Sequence, residues 1–299
     1  MTRRGLVLFG LMSLLWGIPY LFIRIAVAEI SPAFLVFVRT AVGAAILLPA
    51  AIVTTDLGPV LRRWRWVVAF AVIEISIPWV TLGTAEQQVS SSLAGLLIAG
   101  VPLVGALIAL LTGSVHRLSG AALLGLLVGL AGVTAIAGGG FAVSGITPLV
   151  LIGITVVGYA VGPVLLTRPL AGTSSVGIMG LSLTFNTVLY GVLSWLSGWP
   201  TQLPSTPVVL SVVILGVFST AIAFLVFAEL IKEIGPVRAT IITYINPAVA
   251  AILGVVVLQE TFTLAMIVGF ALVIVGSVLS TRRSGAASRE RGPLPMEPS

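Results

Sequence analysis

One carboxylic acid stands where such a group is costly. Glu74 lies near the middle of an apolar run, residues 65–85. A charge at the bilayer centre costs at least a few kcal/mol and usually faces a cavity or a partner. A carboxyl there can carry a proton or hold an ammonium group, or it can stay neutral and hydrogen-bonded within a bundle. Pro78 and Thr81 share its helical face at i+4 and i+7. Trp16, Tyr20, Trp79, Tyr159 and Tyr244 are aromatics inside apolar runs rather than at their ends. Such rings bind flat or cationic ligands by stacking and cation–π contact, or they simply pack. Asn246 adds an uncharged hydrogen-bonding group, and these nine residues form the candidate substrate-binding set. Arg24 and Arg39 belong to a gating or structural set. Arg39 sits about 9 Å into its run by helical rise, a depth from which a long side chain can snorkel. Glu29 and Glu86 on the same side are its expected partners and those of Arg24. Pro19, Pro102, Pro163 and Pro247 interrupt runs and supply kinks or hinges. Asn186, deep in another run, is expected to bond across helices.

Other chemistries lack their parts. There is no cysteine, hence no thiol nucleophile, disulfide or thiolate metal site. No phosphate-binding loop of the Walker type occurs, so ATP hydrolysis is not expected. The acids are scattered and the single Asp, Asp56, lies in a gap, which disfavours an enzyme acting on lipid-linked substrates. His116 also lies in a gap and is expected to be solvated. The net charge is +6, but the basic residues are spread among gaps instead of forming the face that nucleic acid requires. No cofactor or metal is expected.

The elements that position these residues follow from composition. Of 299 residues, 58% are hydrophobic and 8% charged, with mean hydropathy +1.21. A soluble domain carries about 25% charged residues, so lipid must be the main solvent. A membrane-spanning helix takes about 20 apolar residues. Ten such runs are present: 6–26, 33–53, 65–85, 89–111, 118–137, 146–167, 175–197, 207–229, 236–258 and 262–281. They are continuous, whereas barrel strands would alternate in short segments. Trp64, Trp66, Trp195 and Trp199 sit at run ends as interfacial anchors. The polar tail, 282–299, reads as disordered.

With the N-terminus inside, the inner side collects Arg3, Arg4, Arg62, Arg63, Arg65, Arg117, Arg168, Lys232, Arg238, Arg282, Arg283, Arg289 and Arg291, which is 13 of the 15 basic residues. The excess of inner positive charge places both termini in the cytoplasm. Arg3-Arg4, an apolar run and Ala26-Val27-Ala28 also resemble a cleavable leader, though Arg24 interrupts the approach to that site.

The chain repeats itself weakly. A shift of 144 places Pro19 on Pro163, Arg24 on Arg168, Ser31 on Ser175, Gly125 on Gly269 and Gly132 on Gly276. A shift of 145 places Ala94 on Ala239 and Pro102 on Pro247. Two halves of five helices, 1–140 and 141–281, follow. Because five is odd, the second half enters the membrane in the opposite sense, the inverted arrangement of secondary transporters. The repeat gives helix 1 a partner in helix 6 and so argues against its removal. Gly125, Gly129 and Gly132 suit close packing of helix 5, with helix 10 as its expected partner.

Several motifs carry a resemblance. Trp16-Gly17 with Arg24, Ser31-Pro32 with Phe37-Val38-Arg39, the runs Ala94–Pro102 and Ala239–Pro247, and Gln259-Glu260 with Gly269 and Gly276 together resemble the EamA-type members of the drug/metabolite transporter superfamily over residues 5–281. Thr40 replaces the aromatic usual after Arg39, and Ser114-Val115-His116 replaces the glutamate in the first half. The resemblance implies an inner-membrane carrier with ten helices, exporting small metabolites, above all amino acids of aromatic or broad range. Multidrug or organic-cation export is the alternative. The expected partners are a small-molecule substrate, the lipid bilayer and, if transport is coupled, protons.

Overall fold

The computed structural model describes residues 2–112, 119–138, 145–235, 239 and 242–281, and among these the chain is helical, with no strand. His116, the tail and residues 236–238 fall outside the described residues. Eight helices are long and apolar enough to cross a membrane. They are α1 (Arg3–Ala26), α2 (Pro32–Thr54), α3 (Trp64–Glu86), α4 (Ser91–Leu111), α5 (Gly120–Gly138), α6 (Thr147–Thr167), α7 (Ser175–Ser197) and α8 (Thr206–Ile234). Two shorter apolar helices follow, α9 (Ile242–Leu258) and α10 (Leu264–Thr281). A single short turn of helix, Gly58–Arg62, joins α2 to α3.

Helix starts are written in the sequence. The side chains of Ser31, Ser90 and Ser174 accept the amides of Phe34, Leu93 and Gly177, satisfying donors that a helix start leaves free. Pro32, Pro148 and Pro207 occupy the first or second helical position, where no amide is missed. Bulky apolar side chains such as Val53, Leu111, Leu124, Leu196 and Ile252 face outward. Only an apolar solvent makes that arrangement stable.

Helices associate in pairs: α2 with α7, α5 with α10, α3 with α6, α1 with α8, α4 with α9, α1 with α9, α4 with α6, α2 with α8 and α3 with α7. In the α5–α10 pair the backbones touch. A Cβ added at Gly132 would lie 2.6 Å from the Gly269 carbonyl oxygen, and one at Gly125 would lie 2.5 Å from the Ser280 amide. Small residues permit such approach where lipid offers no hydrophobic drive.

The four prolines act differently. Buried Pro19 follows a break at Ile18 in α1, and Pro102 follows a break at Ala99-Gly100 in α4. Pro163 and Pro247 lie inside continuous helices, and Pro163 faces outward. Two further irregularities are invisible to hydropathy. Residues Ala71–Ser76 of α3 and Val217–Ile222 of α8 form π-helical turns, a wider winding often found at functional sites.

Candidate functional site

The two π-helical turns flank the polar centre of the bundle. Glu74 lies in the first. Its side chain points at α6, where a Cβ at Gly162 would overlap the carboxyl group. Its Oε2 is buried and makes no hydrogen bond. Thr220 lies in the second turn. Its hydroxyl donates to the Leu215 carbonyl five residues back at 2.8 Å, and it accepts from Arg39 Nε at 3.0 Å.

Arg39 is only 7% exposed. It enters the bundle interior instead of snorkelling to the surface, because Trp79 and Thr220 hold it there. Its guanidinium carbon stands 3.7 Å from the centroid of the Trp79 ring, a cation–π stack worth about 2 kcal/mol when desolvated. Tyr20, Tyr159 and Glu86 lie within its electrostatic reach, and Tyr159 in turn lies within reach of Glu74. Three residues expected from sequence, Tyr20, Trp79 and Tyr159, thus gather around Arg39, and Glu74 joins them through Tyr159. They come from α1, α2, α3 and α6, with Thr220 from α8.

Other candidates stand elsewhere. Pro78 and Thr81 join α3 to α6: the Thr81 and Thr155 hydroxyls are 2.8 Å apart, and Thr155 reaches the Pro78 carbonyl at 3.3 Å. Trp16 packs edge-on against Phe224 and tilted against Phe227. With its amide turned to satisfy both ends, Asn246 donates to the carbonyls of Ser13 and Ile242, fastening α9 to α1. Tyr244 is half-buried on α9. Asn186 bonds across helices as expected, accepting from Ser76 and donating to the Ala71 carbonyl, while Tyr190 caps the Ser76 carbonyl at 2.6 Å.

The ion pairs expected of Arg24 and Arg39 do not form. Among the described residues, ion pairs join only Arg4 to Glu229 and Glu233 and Lys232 to Glu229. Arg24 instead donates to the Glu86 backbone carbonyl at 2.5 Å. Both carboxyl oxygens of the fully buried Glu86 lack a hydrogen-bonding partner.

The acids Glu29 and Glu260 are spent on helix starts. Glu29 accepts from the backbone amide and hydroxyl of Ser205 at 2.8 and 2.5 Å, and these bonds hold its carboxyl below the ordinary range. Glu260 accepts from the amides of Ser91 and Ser92 at 2.8 and 2.9 Å and from their hydroxyls at 2.9 and 2.5 Å. A carboxylate is favoured there because helix starts present free amides and a positive dipole end. The backbone aims it: Gln259 takes a left-handed conformation, φ 53°, and the Glu260 amide returns to the Gly254 carbonyl at 3.1 Å, a helix-ending motif that ordinarily uses glycine. Both carboxylates tie one of the first five helices to one of the last five. With Arg24, Gln88 and Ser90 they line a cavity of about 580 Å³ at the end of the bundle remote from the N-terminus. At the N-terminal end, Arg4 bonds Glu229 on α8 at 3.0 Å, and Arg63 donates to the carbonyls of Pro169 and Ala171 at 3.0 and 2.7 Å.

Known proteins are similar to this chain over nearly its whole length. The chain is 28% identical over 287 residues to "Uncharacterized inner membrane transporter YedA" of Escherichia coli K12, covering 93% of this chain and 92% of that protein. It is 23% identical to "Uncharacterized transporter YvbV" of Bacillus subtilis 168, over 95% and 93% of the two chains. A solved crystal structure superposes with TM-score 0.67 at 22% identity, over 94% of this chain and 98% of that one, which speaks for the fold alone. The model of the EamA-like transporter family matches twice, over residues 3–138 and again over 146–282. Two matches that leave little of the chain uncovered make this protein a member of the EamA-like transporter family, a membrane transporter.

Proposed function

We propose that the protein is a secondary transporter exporting small metabolites, above all amino acids of aromatic or broad range, by alternating access around the Glu74–Arg39 cluster. The main support is Glu74 Oε2, buried without a hydrogen bond and within reach of Tyr159, which with Tyr20 and Trp79 surrounds an Arg39 that has no ion-pair partner among the described residues. Buried polar groups are normally satisfied within a protein; groups left over at a helix interface suit a ligand that satisfies them. In this reading Glu74 receives the substrate's ammonium group, and the three aromatic side chains wall the site. Arg39, Pro19, Pro102 and Pro247 belong to the moving parts.

The scaffold is read as two inverted repeats, 1–140 and 141–281, with ten membrane-spanning helices and both termini in the cytoplasm. Exchanging α1–α5 for α6–α10 maps the nine pairs named above onto one another, while α4 also packs on α10 with no comparable contact between α9 and α5; the two π-helical turns exchange as well. The excess of basic residues near the N-terminal end supports the orientation. Transport then alternates between two sets of ties: Glu29 and Glu260 on the outer face, Arg4 and Arg63 on the inner face.

A second reading, export of organic cations, draws on the same acids and rings, since Glu86 also lies buried without a hydrogen bond. Flux of amino acids and of organic cations into proteoliposomes, measured with and without a pH gradient, separates the two and tests proton coupling. Saturable amino-acid flux supports the proposal; flux confined to cations refutes it.

A further inference from the structure

We propose that Arg39 anchors a carboxylate of the transported substrate, so that the site selects organic acids, zwitterions included, over amines that lack an acid. This rests on the transport reading above and deepens it.

The guanidinium is held on two sides and unbonded on the third. Its face is covered by Trp79 at 3.7 Å. Its Nε is fixed by Thr220, whose own proton is committed to the Leu215 carbonyl, so the hydroxyl can only accept from Arg39. What remains is the edge bearing the two terminal nitrogens. Among the described residues these donate to no acceptor, and no carboxylate lies within ion-pair distance. Glu86 lies within electrostatic reach and Glu74 lies beyond Tyr159, yet neither forms an ion pair with the guanidinium.

A guanidinium this deep is expensive unless neutralised in contact. The planar fork matches a carboxylate with two parallel hydrogen bonds, a geometry that a lysine cannot reproduce. The ring that stacks on Arg39 also prevents it from turning away. The anchor lies at the meeting of α2, α3 and α8, helices from both ends of the chain. A bound carboxylate would therefore be sensed by both parts of the bundle.

The test is binding to purified protein in lipid nanodiscs, using four forms of one aromatic amino acid: the amino acid, its amide, its decarboxylated amine and its deaminated acid. The wild type should bind the amino acid about tenfold to a hundredfold more tightly than the amide or the amine, as expected for charge-assisted hydrogen bonds. R39Q should erase that preference while leaving affinity for the amine within about threefold of wild type, and R39K should restore it in part. A purely structural arginine would weaken all four ligands together, and that result overturns the proposal. Equal wild-type affinity for the acid, amide and amine overturns it too, without touching transport. Binding of the deaminated acid but not the amino acid keeps the anchor and refutes the amino-acid reading. Binding of none of the four overturns both. Helix content and a single elution peak confirm that each variant is folded.

Discussion

Glu260→Gln removes one charge and should open the outer face. The carboxylate accepts four hydrogen bonds from Ser91 and Ser92. A carboxamide oxygen can keep two of them at neutral strength, while its amino group confronts one backbone amide and can only donate to the remaining serine hydroxyl, which must reverse its role. Bonds to a charged group contribute about 1.5–3 kcal/mol and neutral ones about half that, and the helix-dipole term is lost as well. The tie between α9 and α4 should thus weaken by about 2–4 kcal/mol, which shifts the closed-to-open ratio by at least about thirtyfold. The chain has no cysteine, so a single reporter is clean. Val89, 5% exposed beside the cavity that Glu260 lines, can be replaced by cysteine with little change in volume. Its labelling by a membrane-impermeant maleimide should be more than about tenfold faster with Glu260→Gln than without it. Equal rates within about twofold, in folded protein, would show that Glu260 caps a helix and gates nothing.

Three other expectations can be checked on purified protein. Gln259→Gly should raise thermal stability by roughly 1 kcal/mol, because a left-handed conformation costs a residue with a Cβ about that much; a drop in melting temperature contradicts it. Gly276→Leu should be strongly destabilising, since a Cβ there would already meet the Gly125 carbonyl at 2.5 Å, with a loss of several kcal/mol in a thermal or denaturant melt. The Glu29 carboxyl is lowered from 4.5 by its Ser205 bonds. Its contribution is therefore present above 4.5 and lost as pH falls through the depressed value. Wild type should melt above Glu29→Gln at pH 6, and the gap should close as pH drops below 4.5; a gap that persists at low pH contradicts the assignment.

Much of the scaffold was legible because hydropathy reports directly on solvent. Runs of about 20 apolar residues became α1 to α8, and the small-residue spacing at Gly125 and Gly132 foretold the α5–α10 contact. The site was legible only in part. Glu74 stands out in sequence because one acid interrupts an apolar run. Arg39 does not: six residues from a helix end, it fits a snorkelling side chain as well as a buried one. Its partner Thr220 lies 181 positions away, and no local pattern links the two. Trp16 and Trp79 look alike in sequence, yet one packs on phenylalanines and the other on a guanidinium, a difference set wholly by tertiary neighbours. The motif containing Glu260 was recognisable, but its work across the bundle on the first turn of α4 was not, because that turn comes from the other half of the chain.

Counterflow of a radiolabelled aromatic amino acid in proteoliposomes, run with wild type and Glu74→Gln side by side, reports directly on the substrate site, since exchange needs the site but no driving gradient. Wild type should show saturable counterflow and the variant a loss of more than about tenfold, the scale of one charge-assisted contact, with folding unchanged. Wild-type counterflow by Glu74→Gln would contradict it and move the substrate site away from the Glu74–Arg39 cluster.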